Sequence, residues 1–115
     1  MIRRFFRIVR REIPGLEDFL TLSAEGIDCS RRRSTRECAE GISVWDDAGF
    51  AMAKARQIEF SRGRFLVALL VPDDGTVEIA KTFGPHHYTL YSMSPESILT
   101  LVEGPAVRIP GSLEG

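Results

Sequence analysis

The clearest pattern in the chain is RFLVALLV at 64–71, an uninterrupted apolar run of strand length that reads as a central strand covered on both faces. Pro72-Asp73-Asp74-Gly75 is turn chemistry. Residues 76–83 then alternate Val77, Ile79 and Lys81 against Glu78, Ala80 and Thr82, so the two runs predict a hairpin. After Gly84-Pro85, HHYTLYS predicts a third strand with Tyr88 and Leu90 on one face and His87, Thr89 and Tyr91 on the other. Ser94-Pro95-Glu96 supplies a capping serine, a proline at the first helical position and an acid at the positive end of the helix dipole. The helix it opens runs to about residue 103, with Ile98, Leu101 and Val102 as its apolar stripe. Gly104-Pro105 stops it, and Ala106 to Ile109 return as a short edge strand.

The first half is less regular. MIRRFFRIVRRE fits an amphipathic helix with its arginines on one arc, and it also fits a strand, because FFRIV is aromatic and β-branched with Phe5, Arg7 and Val9 on one face. The strand is favoured by composition; both readings end at Pro14-Gly15. GLEDFLTLSA at 15–24 predicts a short helix, with Leu16, Phe19 and Leu20 at helical spacing. Residues 28–41 lose all periodicity and read as a polar, arginine-rich loop. Ile42 to Trp45 form a short apolar run. Asp46 or Asp47 then caps a helix reaching about Gln57, whose face of Ala48, Ala51, Met52 and Ala55 suits close packing on a sheet.

These elements predict an α+β fold: a mainly antiparallel sheet packed by two or three short helices, in a single domain over residues 1–115 with a frayed tail at 111–115. The size, 12.9 kDa, and the ordinary balance of 43% hydrophobic and 27% charged residues agree with one globular unit. The longest apolar run is far short of the ~20 residues that span a bilayer, and nothing near the N-terminus resembles a secretory signal, so no membrane partner is expected. Two cysteines, Cys29 and Cys38, in a C-x8-C spacing are expected to be reduced and metal-free, which points to a cytoplasmic protein.

Charge changes the picture locally. Residues 1–36 carry nine arginines against five acids, a balance of +4, while the remainder carries six basic and eleven acidic residues, a balance of −5. The arginine clusters at 3, 4, 7, 10, 11 and at 31–33 and 36 suit an anionic ligand surface. No stacking aromatics are interleaved with Arg31 to Arg36, so nucleic acid is not the expected partner. His86 and His87 point to opposite faces of a strand and cannot readily share a metal. The row of His87, Thr89 and Tyr91 instead offers hydrogen bonds beside an aromatic surface. Neither a G-x-S-x-G, a G-x-G-x-x-G nor a P-loop occurs, and no complete catalytic constellation can be assembled.

An arginine inside an early strand (FFRIV), a helix, a loop, a strand with an internal serine (GISVW) leading into an Ala-rich helix, and then several antiparallel strands resembles the ADP-ribosyltransferase-like fold. The resemblance implies that Arg7 and Ser43 contact NAD or a related nucleotide. The acidic motif that a late strand carries in many such transferases has no counterpart: Glu78 lies on the earlier hairpin strand and Glu103 ends a predicted helix. The expected function is a small binding or regulatory domain for an anionic or nucleotide-like ligand, or for a protein partner, without a cofactor. The alternative is an NAD-using transferase. The expected site gathers Arg7, Ser43, His87, Thr89 and Tyr91.

Overall fold

The computed structural model describes residues 1–21, 23–26, 28–30, 35–57, 64–91 and 93–110. The ambiguous N-terminal segment is a strand, β1 (Ile2–Val9), and its partner explains why: eight consecutive residues pair antiparallel with β3 (Phe65–Pro72), from Ile2↔Pro72 to Val9↔Phe65. A short isolated helix gains little in water, whereas pairing with the most apolar strand satisfies the backbone and buries Phe5 and Val9 together. The chain then turns around the buried Asp18 carboxylate, which accepts hydrogen bonds from the backbone N–H groups of Arg10 (2.7 Å) and Gly15 (2.9 Å). Where a helix over 15–24 was expected, the described residues form a single 3-10 turn, Leu16–Phe19.

The remaining elements are α1 (Thr35–Glu40), β2 (Ile42–Trp45), α2 (Ala48–Gln57), β4 (Glu78–Lys81), β5 (His87–Tyr91), α3 (Pro95–Leu99) and β6 (Val102–Arg108). All six strands join one antiparallel sheet in the order β4-β5-β2-β1-β3-β6, so the fold is α+β as the patterning predicts. β3 is indeed covered on both faces, with Leu66, Val67, Ala68, Leu69 and Val71 all buried.

Several local expectations are corrected. β3 and β4 do not form a hairpin: β3 has β1 on one edge and β6 on the other, and β4 pairs with β5 at the far end of the sheet. Pro72 to Gly75 turn the chain, but both edges of β3 are already occupied by longer strands, β1 and β6. The helix expected to reach residue 103 ends at Leu99. Ser94 caps it as expected, its Oγ accepting the Ser97 N–H at 3.1 Å, but Val102 and Glu103 already belong to β6 opposite Leu69 and Ala68. Gly104, with φ 65, lets β6 continue through what looked like a stop by way of an irregular register between Leu66 and Ala68.

The loop expected over 28–41 contains α1, and Cys29 and Cys38 are joined in a disulfide rather than reduced. Their Cα atoms stand 5.7 Å apart because α1 brings Cys38 back beside residue 29, a proximity that spacing alone does not encode. Residues 31–33 of the second arginine cluster and the tail at 111–115 lie outside the described residues.

The sheet separates two apolar layers. On one face Phe5, Val9, Val44, Val67, Leu69, Val71 and Leu90 meet Phe19 of the 3-10 turn and Ile98 of α3. On the other, Ala51 and Ala55 of α2 press on Leu66 and Ile109, with Phe6, Ile8, Trp45 and Met52 around them. The small-residue face of α2 permits that approach, and Asp47 caps the helix by accepting the Phe50 N–H at 2.7 Å. Among the described residues, no helix is long and apolar enough to cross a membrane.

Candidate functional site

β1 and β2 share one register pair, Phe6↔Trp45, before they diverge. Arg7 fills the divergence. Its Nε donates to the Asp18 carbonyl at 2.9 Å and its Nη1 to the Ser43 carbonyl at 2.8 Å, while the guanidinium lies 6.0 Å from the centre of the Phe19 ring. Burial pushes its pKa down to about 10, with Glu25 and then Asp18 opposing the shift, so the group stays cationic at neutral pH. An arginine in this position bridges two backbone segments.

The other expected site residues divide by face. Ser43 pairs with Thr89 and Trp45 with His87, so these four side chains share the α2 side of the sheet. Arg7 alternates onto the opposite side and meets Ser43 only through its backbone carbonyl. His87 Nδ1 lies 2.8 Å from Thr82 Oγ1, and that hydroxyl lies 2.8 Å from Thr89 Oγ1. His87 and Thr89 are buried, and burial followed by the nearby Lys81 charge holds the imidazole below its ordinary pKa. Tyr91 is also buried: Arg36 of α1 stacks 3.9 Å from its ring centre, and burial together with a hydrogen bond involving Glu37 pushes its phenol up to about 12. Of the five, Ser43 alone is exposed. Gly41 beside them leaves room for the Thr89 methyl, which a Cβ would meet at 2.5 Å.

The β4–β5 turn holds features that pattern reading missed. Phe83 and His86, neither of them glycine, have left-handed φ values of 37 and 62, a conformation that costs about 1–3 kcal/mol when it is sparsely populated. It is fixed by contacts from several directions: Lys81 Nζ donates to the Gly84 carbonyl, the Asp46 N–H donates to the His86 carbonyl at 3.0 Å, and His86 Nδ1 lies 2.8 Å from Asp46 Oδ1. Trp45 and Phe83 flank the His87 ring at 5.3 and 5.4 Å, and Phe50 packs 4.9 Å from His86.

A second group lies on the Arg7 side of the sheet, where Tyr88 and Lys81 are register partners. The Arg3 guanidinium sits 4.8 Å from the Tyr88 ring centre and 4.9 Å from that of Phe5, and Lys81 Nζ sits 5.6 Å from Tyr88. Two cations therefore converge on one half-buried aromatic ring. The other arginines of the N-terminal cluster are matched: Arg4 with Glu103, Arg10 with Glu25, Arg11 with Glu17, and Arg7 with two carbonyls. Neither Arg3 nor Lys81 has a carboxylate within ion-pair distance among the described residues. The arginine clustering marked this surface in the sequence, but the convergence of residues 3, 81 and 88 depends on strand order.

No protein-family model, no curated protein and no solved structure matches this chain.

Proposed function

We propose that this chain is a small binding domain for an anionic, nucleotide-like ligand, one that joins a planar ring to a phosphate or carboxylate. The observation that carries the reading is the convergence of Arg3 and Lys81 on Tyr88 without a carboxylate partner. A half-buried phenol ring gives a stacking surface, the arginine gives a planar fork for an oxyanion, and the lysine adds a second charge. The disulfide suits an oxidising compartment better than the reducing cytoplasm that cysteine scarcity suggested.

The test is a thermal-shift and calorimetric panel of AMP, ADP, NAD, ADP-ribose and inorganic phosphate, since a ligand selective for the folded state raises the unfolding temperature. A shift with at least one nucleotide, lost in Arg3→Ala/Lys81→Ala, is the expected result. No shift with any of them at about 1 mM, roughly a 4 kcal/mol interaction, overturns the reading.

The second reading, an NAD-using transferase, is favoured by one observation: Arg7 and Ser43, the two positions to which the resemblance assigns nucleotide contact, lie on adjacent strands, with Arg7 Nη1 2.8 Å from the Ser43 backbone carbonyl, although the two side chains occupy opposite sides of the sheet. Against it, Glu78 is held in a bidentate pair by Arg36 and Glu103 is matched with Arg4. Release of nicotinamide from NAD, abolished by Ser43→Ala in a folded variant, would establish it over simple binding.

A further inference from the structure

A cavity of about 530 Å³ opens between the first turns of α2 and the β1-β3-β6 part of the sheet, within the ~300–1,000 Å³ range of small-molecule sites. Its walls are largely apolar: Phe6, Met52, Leu66, Ala68 and Val107 line it, together with the small residues at 48 and 49 on α2. Two charged groups stand within it. Arg4 and Glu103 face each other with Nε 3.4 Å from Oε2, close enough for an ion pair. The approach does not make a hydrogen bond, and Glu103 Oε2 is a buried acceptor with no hydrogen-bond donor among the described residues. The Arg4 guanidinium lies 5.6 Å from the centre of the Phe6 ring, so its cationic fork sits at the edge of the apolar wall.

We propose that this cavity binds a free α-amino acid with a large apolar side chain. The ligand's ammonium donates to Glu103 Oε2, its carboxylate meets the Arg4 fork, and its side chain enters the space bounded by Phe6, Met52 and Ala68. Charge complementarity selects this class. An α-amino acid carries opposite charges on either side of one carbon, on the same scale as the Arg4–Glu103 separation, and an apolar ligand without an ammonium would leave the buried carboxylate oxygen without a donor. Both charged side chains are substantially exposed, and an exposed pair of this kind adds little to stability, so it can open to admit the ligand. The site lies on the opposite side of the sheet from Arg3, Tyr88 and Lys81 and does not depend on the nucleotide reading.

The test is an NMR titration of the full chain with L-phenylalanine, L-leucine, L-serine, N-acetyl-L-phenylalanine and L-phenylalaninamide. Expected are saturable shifts for phenylalanine or leucine at the amides of Phe6, Met52, Ala68 and Val107, with affinity at least about tenfold weaker for serine and for both blocked forms. Glu103→Gln should lose at least about tenfold in affinity while its spectrum remains that of the folded protein, and Ala68→Leu, which fills the cavity, should abolish binding. If Ala68→Leu does not fold, the Glu103→Gln result and the blocked ligands carry the test. Absence of shifts with any apolar amino acid at about 10 mM, blocked forms that bind as well as the free amino acid, or shifts confined to residues elsewhere would each overturn the proposal.

Discussion

On one side of the sheet, Phe5, Val44, Leu69 and Leu90 meet Phe19 and Ile98 in a continuous apolar layer. On the other, α2 covers the part around Leu66, Ile109, Phe6, Ile8 and Trp45, and the strip along β5 is polar. There, Thr82, His87 and Thr89 form a buried hydrogen-bonded row, α1 closes over Tyr91 through Arg36, and the disulfide ties α1 to residue 29. The difference shows where the fold's stability is concentrated. Close-packed apolar contacts secure the first side, whereas the second depends on directional contacts and a covalent tie, and it leaves space for the cavity beside α2.

The comparison can be broken most directly within β3, where neighbouring leucines face opposite sides. Leu69→Ala, at a fully buried position, should cost about 2–5 kcal/mol in chemical denaturation, while Leu70→Ala, 37% exposed, should cost under about 1 kcal/mol. Equal costs would mean that the two sides do not differ in packing. The second expected effect belongs to the cross-linked side. Replacing both cysteines with serine removes a constraint across nine residues and should cost about 2.5 kcal/mol in thermal or denaturant unfolding, with a similar loss when the native protein is reduced. Unchanged stability would show that α1 is held over Tyr91 by its other contacts.

The smallest effect sharpens the comparison by pH. The folded His87 pKa lies below the ordinary 6.5, so between those two values the unfolded chain binds more protons than the native one. The stability contributed by the neutral imidazole is complete above pH 6.5 and falls as pH drops from 6.5 through the folded value. Unfolding free energies of the wild type and His87→Asn, measured from pH 5 to pH 8, should therefore diverge in slope only at the acidic end. Parallel curves would mean that His87 is not the group responsible.

Much of the local structure was legible because it rests on neighbours in sequence. Alternation in FFRIV and HYTLY, the apolar run of β3, Asp47 before α2 and Ser94-Pro95 before α3 each act within one turn or one strand, and each produced the element expected there. The candidate site was less legible. Period-2 alternation correctly grouped His87, Thr89 and Tyr91 on one face, but it carries no information on what would cover them, and α1 and the strained β4–β5 turn bury all three.

By itself, then, the sequence determined the α+β class, the type of most elements and the clustering of arginines near the N-terminus, since all of these follow from side-chain period, capping and composition. Tertiary structure decided which strands are neighbours. β3 has two edges and both are filled, by β1 over eight register pairs and by β6, so β4 crosses to the opposite end of the sheet. That strand order brings Lys81 and Tyr88 to Arg3, sets Arg7 against the Ser43 carbonyl, and places Arg4 and Glu103 together in the cavity between α2 and the sheet. The physical reason is that strand pairing is a competition among all exposed edges for the longest apolar match, which no local window of residues contains.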